Sequence, residues 1–206
     1  MSIEVKDLDN NSKFRQILVV KYSDLPEFIF NNLKKLTLPI ASFYFLCLVF
    51  LAAAIYFRIM LIPDYPYVSV ILYSFLGFLA LPAISILIHE ALHIIPFYIS
   101  GARNIRVGMI LKQYMFYVTA HRYVASPLQF IIVALAPFLV ISVATIYLII
   151  IFPPLWKWSL SVFLFIHTTM CVGDFVLMNF YYVNRRKKIY TWDDADTRTS
   201  YFYEAI

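Results

Sequence analysis

His89, Glu90 and His93, in the stretch "SILIHEALHIIPF" from Ser85 to Phe97, are three ionisable side chains within five residues of an otherwise apolar segment. Positions i and i+4 share one face of a helix, so both imidazoles can reach a single divalent ion. Glu90 then stands beside that ion, placed to take a proton from a water whose pKa the metal has lowered to about 7. A catalytic zinc of this kind needs a third protein ligand and one open position. Asp174, in "CVGDF", is the remaining carboxylate within the apolar stretches able to supply it. The chemistry such a set performs is metal-assisted hydrolysis of a polarised carbonyl.

An ionisable group near the centre of a membrane helix costs about 2.5 to 3.5 kcal/mol on insertion scales, so these residues must find partners or water. Of 12 Asp and Glu, only Glu90 and Asp174 fall in apolar stretches; of four His, three do, and they share those two stretches. His167 lies seven residues before Asp174. That places it on the same helix face about 10.5 Å further along, behind the ligands or in a pocket. His121 belongs to a separate loop, as a surface group or a donor to substrate. The plainer reading is that the histidines and Asp174 hydrogen-bond between helices as structural glue. Cys47 and Cys171 both sit in apolar runs, where they act as small hydrophobes and give neither a disulfide framework nor a thiolate metal site.

These residues need elements to carry them. The 206-residue chain is 62% hydrophobic and 14% charged, which is membrane-protein composition. Four stretches are long enough for a helix to cross about 30 Å of hydrocarbon: Leu36 to Phe57, Tyr67 to Ile88 continuing through the motif, Leu128 to Phe152, and Trp158 to Val183. The first lacks a cleavage signature and reads as a permanent span. Fifteen of the 17 Lys and Arg fall before span one, between spans two and three, or after span four. That asymmetry places both termini and the middle loop in the cytoplasm. "NRRKK" is then a membrane-surface stop, and nucleic acid is not an expected partner. Counted from those cytoplasmic ends, His89 and Asp174 both lie roughly 16 Å deep and His93 roughly 10 Å, so the three can meet.

The organisation expected is a cytoplasmic N-terminal segment (1–35), a four-span domain (36–184) and a cytoplasmic tail (185–206). In the first, Asp24 is placed to cap an interfacial helix with Pro26 and Glu27 in its opening turn. The loop "GARNIRVGMILKQYMFYVTAHRY" is rich in β-branched and aromatic residues and predicts a hairpin turning near Lys112 and Gln113. Asn104 to Ala120 could hold an extended peptide by strand addition. Pro82 and Pro96 bracket the motif and predict a kink or end of its helix; Pro137, in "VALAPF", predicts a bend in span three. Gly173 predicts a close approach beside Asp174. The fold class expected is thus an all-α membrane protein of four transmembrane helices with a cytoplasmic-side β-hairpin between helices 2 and 3.

"HEALH" at a helix end, the "ARNIRVG...Y" hairpin, "VALAPF", "GDF" and the following "YTWDDADTRTSYF" together resemble the putative zincin peptidase family of small bacterial membrane proteins, which is distantly similar to the site-2 intramembrane proteases. The resemblance runs from about Val68 to Phe202. It implies one Zn²⁺ per chain held by His89, His93 and Asp174, with Glu90 as general base, and a bacterial cytoplasmic membrane as the setting. The chain departs from the site-2 proteases in carrying "VGD" for their "LDG" and in lacking their "NxxPxP" run.

The expected function is a membrane-embedded zinc metalloprotease acting on membrane proteins or peptides. Two alternatives remain at this stage: a non-catalytic membrane protein whose metal site is structural or zinc-sensing, and a zinc hydrolase of lipids or small amides. Two His and a carboxylate also suit iron or manganese.

Overall fold

Backbone amides in apolar surroundings must be satisfied internally, so the long apolar runs form helices. A computed structural model describes residues 3–110 and 115–206. The order is β1 (Phe14–Lys21), α1 (Leu25–Leu33), α2 (Leu38–Leu61), α3 (Tyr67–Phe75), a π turn (Leu76–Ala80), α4 (Leu81–Ile99), β2 (Ile105–Ile110), β3 (Met115–Ala120), α5 (Pro127–Ile151), α6 (Pro154–Met170), α7 (Val172–Val183), β4 (Ile189–Asp194) and β5 (Thr199–Ala205). Helix accounts for 64% and strand for 17%, which corrects the all-α expectation to a mostly helical chain with two sheets.

Among the described residues, three helices are long and apolar enough to cross a membrane: α2, the rod from Tyr67 to Ile99, and α5. The bent pair α6 and α7 makes a fourth if counted as one span. The two halves of that pair meet at 47°, where Cys171 ends α6 by donating its N–H to the carbonyls of His167 and Thr168. Large apolar side chains such as Phe45, Leu48, Leu87, Val143 and Ile150 are exposed on the outer faces. Inside, Phe43, Phe138, Cys171 and Phe175 join α2, α5 and the α6–α7 break in one buried cluster.

The close helix approach falls at Gly77, where an added Cβ would collide with the Ser159 carbonyl of α6. At Gly173 a Cβ would meet Ile29 Cδ1 at an ordinary 3.7 Å, so the close approach expected there is not found. Pro96 does not end its helix; α4 continues to Ile99.

The strands β2 and β3 pair antiparallel in unbroken register, Ile105 opposite Ala120 through Ile110 opposite Met115. The turn expected at Lys112 and Gln113 lies outside the described residues. The second sheet, in the order β1-β5-β4, joins the two ends of the chain. Residues 121–125, which follow β3, bond to β4: Arg122 donates to the Asp193 carbonyl, and Ala125 and Thr191 exchange both backbone bonds. The N-terminal segment, the connection after α4 and the C-terminal tail therefore meet in one layer. The helix expected after Asp24 is present as α1. The Asp24 side chain does not cap it and instead accepts the Ser23 hydroxyl proton at 2.8 Å, because a 3₁₀ turn over Tyr22–Asp24 leads straight into the helix.

Candidate metal centre

His89 and His93 lie one turn apart on α4 with their rings 5.0 Å apart and nearly perpendicular. Both point their Nε2 atoms at one carboxylate across the bundle. Asp174, in the first turn of α7, places Oδ2 3.2 Å from His89 Nε2 and Oδ1 3.7 Å from His93 Nε2. Separations of 3.2 to 3.7 Å suit atoms that share one ion at bond lengths of about 2.0 to 2.2 Å. The bend at Cys171 serves this arrangement, since Asp174 lies in the opening turn of the redirected helix.

Each imidazole has its other nitrogen occupied. His93 Nδ1 is 2.9 Å from the Val133 carbonyl of α5. A carbonyl only accepts, so Nδ1 carries the proton and Nε2 keeps its lone pair for a metal. The carbonyl is free to accept because Pro137, four residues on, has no N–H to bond it within the helix. The bend-forming proline of span three thus supplies an orienting acceptor to the site. The ends of α4 and α5 are pinned nearby: Ser126 and Gln129 form a capping box, Gln129 Nε2 donates to the Tyr123 hydroxyl at 3.0 Å, and Tyr123 donates to the Ser100 carbonyl at 2.5 Å.

His89 Nδ1 meets His167 Nε2 at 3.4 Å, with Cys171 Sγ 3.9 and 3.8 Å from the two nitrogens. His167 is fully buried, and its own Nδ1 has no hydrogen-bond partner among the described residues. His167 therefore stands behind His89, on the side away from Asp174.

Glu90 offers a carboxylate oxygen within 4.8 Å of one ring nitrogen each of His89 and His93. It lines, with the three ligand candidates, a cavity of about 380 Å³. The opposite wall includes the edge of β3 that faces away from β2, where the Val118 backbone bonds to the Glu90 carboxyl. His121 donates its N–H to the Asn104 carbonyl at 2.8 Å, which fixes the phase of the ladder. Thr119 and Tyr117 then bond inward to β2, while Val118 and Phe116 turn their amide and carbonyl groups away from it. Phe116 and Val118 are among the cavity-lining residues.

Asn104 and His121 are not among those lining residues. His121 Nδ1 accepts the Ala195 N–H at 3.0 Å and lies within 3.7 Å of Asp194 and 3.6 Å of Asp196, at the β4–β5 turn. Residues the sequence reading did not foresee at the cavity include Val133, Tyr22, Asp193 and Ser200. Pro137 was the available signal for Val133; Asp193 and Ser200 arrive through strand pairing and Tyr22 through the 3₁₀ turn that follows β1, which leaves no local pattern.

The donor set of two imidazoles, one carboxylate and a cavity beside them fits a hydrolytic zinc ion. A family model described as "Putative zincin peptidase" matches residues 82–190, more than half of the chain and inclusive of every ligand candidate. No curated protein and no solved structure matches the chain.

Proposed function

As a chain that belongs to the putative zincin peptidase family, this protein is, we propose, a membrane-embedded zinc metallopeptidase that cleaves membrane-associated proteins or peptides. The observation that carries the reading is the Asp174 carboxylate reaching both His89 Nε2 and His93 Nε2 inside an apolar bundle. Buried charge of this kind is costly and is retained where it does chemistry. A zinc ion held by these three residues supplies a Lewis acid that polarises the scissile carbonyl and acidifies a water. Glu90 takes the proton of the attacking water and passes it to the leaving amine. His93 is held in the ligating tautomer by Val133, and His89 is backed by His167. The outward groups of Phe116 and Val118 align an extended substrate strand along the cavity, which a helical substrate reaches by unwinding locally.

The exposed apolar faces of α2, α4 and α5 support a lipid setting. Pairing of β1 with β5 brings both termini to one side, and the bonds between residues 121–125 and β4 bring the middle connection there too. That parity supports four crossings with α6 and α7 counted together, and the Lys and Arg asymmetry makes the shared side cytoplasmic.

Glu90→Gln is the discriminating variant. Loss of peptide cleavage with zinc content unchanged is the expected result. Unaltered behaviour in a protein that binds zinc but cleaves nothing would instead favour a structural or sensing role for the metal.

A further inference from the structure

The C-terminal sheet contributes a second chemical feature to the cavity. Register across three strands puts Val20 of β1, Ser200 of β5 and Asp193 of β4 side by side, and all three line the cavity that holds Glu90 and Asp174. Within that row Asp193 accepts the Ser200 hydroxyl proton at 2.5 Å.

Asp193 is the odd acid of its sheet. Asp194 lies beside His121, Asp196 pairs with Arg106 at 2.7 Å, and Glu204 pairs with Arg15 at 2.9 Å and Lys187 at 3.2 Å. Among the described residues, Asp193 has no cationic partner within 4 Å, and no Lys or Arg lines the cavity. Burial pushes its carboxyl up from the ordinary value, against the lowering effect of the Ser200 and Thr119 hydroxyls. A cross-strand contact with serine needs no more than an asparagine or threonine, so a carboxylate here costs stability that a purely structural role does not require.

The surroundings suit a long cationic side chain. Tyr22 and Tyr117, packed edge to face at 4.9 Å, and Phe202 form apolar walls that would cover a methylene stem while its charged end reaches the acid. Glu90 and Asp174 have the metal to answer to; Asp193 does not.

We propose that Asp193, with Ser200, forms a specificity subsite that binds a lysine or arginine side chain of the substrate next to the metal centre. The inference rests on the peptidase reading for its meaning, though the binding itself does not require turnover. The cation completes the ion pair that the fold leaves open, and its recognition selects which extended segment is presented along β3.

The test uses the zinc-loaded full chain in nanodiscs and blocked ten-residue fluorescent peptides, identical except for one scanned position carrying Lys, Arg, norleucine or Glu. Binding is read by anisotropy on the Glu90→Gln protein, with and without Asp193→Asn, and cleavage on the wild type. At one position the Lys and Arg peptides bind about tenfold or more tightly than norleucine; Asp193→Asn cuts that ratio below about threefold, and Asp193→Glu restores most of it. Absence of a cationic preference at every position, or a preference untouched by Asp193→Asn in protein that keeps its elution profile, overturns the subsite. Cleavage without cationic selectivity leaves the peptidase reading standing and removes the subsite. Selective binding without cleavage does the reverse.

Discussion

Pro137 lies one helical turn beyond Val133, and the amide proton it lacks is the one that would have bonded the Val133 carbonyl now held 2.9 Å from His93 Nδ1. A backbone defect in one helix thereby sets the tautomer of a metal ligand in another. Pro137→Ala restores a competing N–H donor, and zinc affinity falls about 10- to 100-fold, the usual effect of losing a partner that orients a ligand. Competition with a chelating indicator measures it; an unchanged affinity would show that Val133 plays no part in holding His93.

His167 answers the same need for His89. His167→Phe keeps the bulk but removes the ring nitrogen 3.4 Å from His89 Nδ1, so zinc affinity drops by about one to two orders of magnitude, while His167→Gln retains a large part of it. Equal losses in both variants would assign His167 to packing alone.

The structure separates two glycines that look alike in sequence. Gly77→Ala drives a Cβ into the Ser159 backbone and forces α6 away from the π turn, costing about 1 to 3 kcal/mol in detergent unfolding. Gly173→Ala, with only Ile29 Cδ1 at 3.7 Å, leaves unfolding nearly unchanged. The opposite order would mean that α6 and the π turn are not in close contact.

The sheet joining the chain ends has a pH-dependent tie. Arg15 and Lys187 hold the Glu204 carboxyl below its ordinary value. A folded-state pKa below the unfolded one gives stability that is present above the unfolded value, about 4.3, and lost as pH falls through the folded value. The gap between wild type and Glu204→Gln in thermal unfolding is therefore open at pH 7 and closes below about pH 4. A gap that persists in acid would assign the Glu204 effect to packing.

What the sequence made legible follows from the physics that writes it locally. The spacing in "HEALH" and the rarity of acids in apolar runs pointed to His89, His93, Glu90 and Asp174, because helical periodicity and the cost of burying charge act within a few residues. The depth estimate that matched His89 with Asp174 also agrees with their 3.2 Å approach, even though span four is broken at Cys171. The terminal sheet stayed hidden since β1 finds its partner some 180 residues later, and "ILVVKY" shows only as a short apolar run. Asp24 carried a cap signal that the preceding 3₁₀ turn overrode. Asp193 shares its segment with Asp194 and Asp196, and only the cross-strand register distinguishes the acid that faces the cavity from Asp194 beside His121 and Asp196 beside Arg106.

One metal ion shared by α4 and α7 is tested most directly by metal content. Elemental analysis of the purified full chain beside His93→Ala and Asp174→Ala should give about one zinc per chain in the wild type and a loss in both variants that leaves the protein folded. A wild-type protein that remains folded and takes up no zinc, or an Asp174→Ala variant that keeps its zinc, would contradict the assignment.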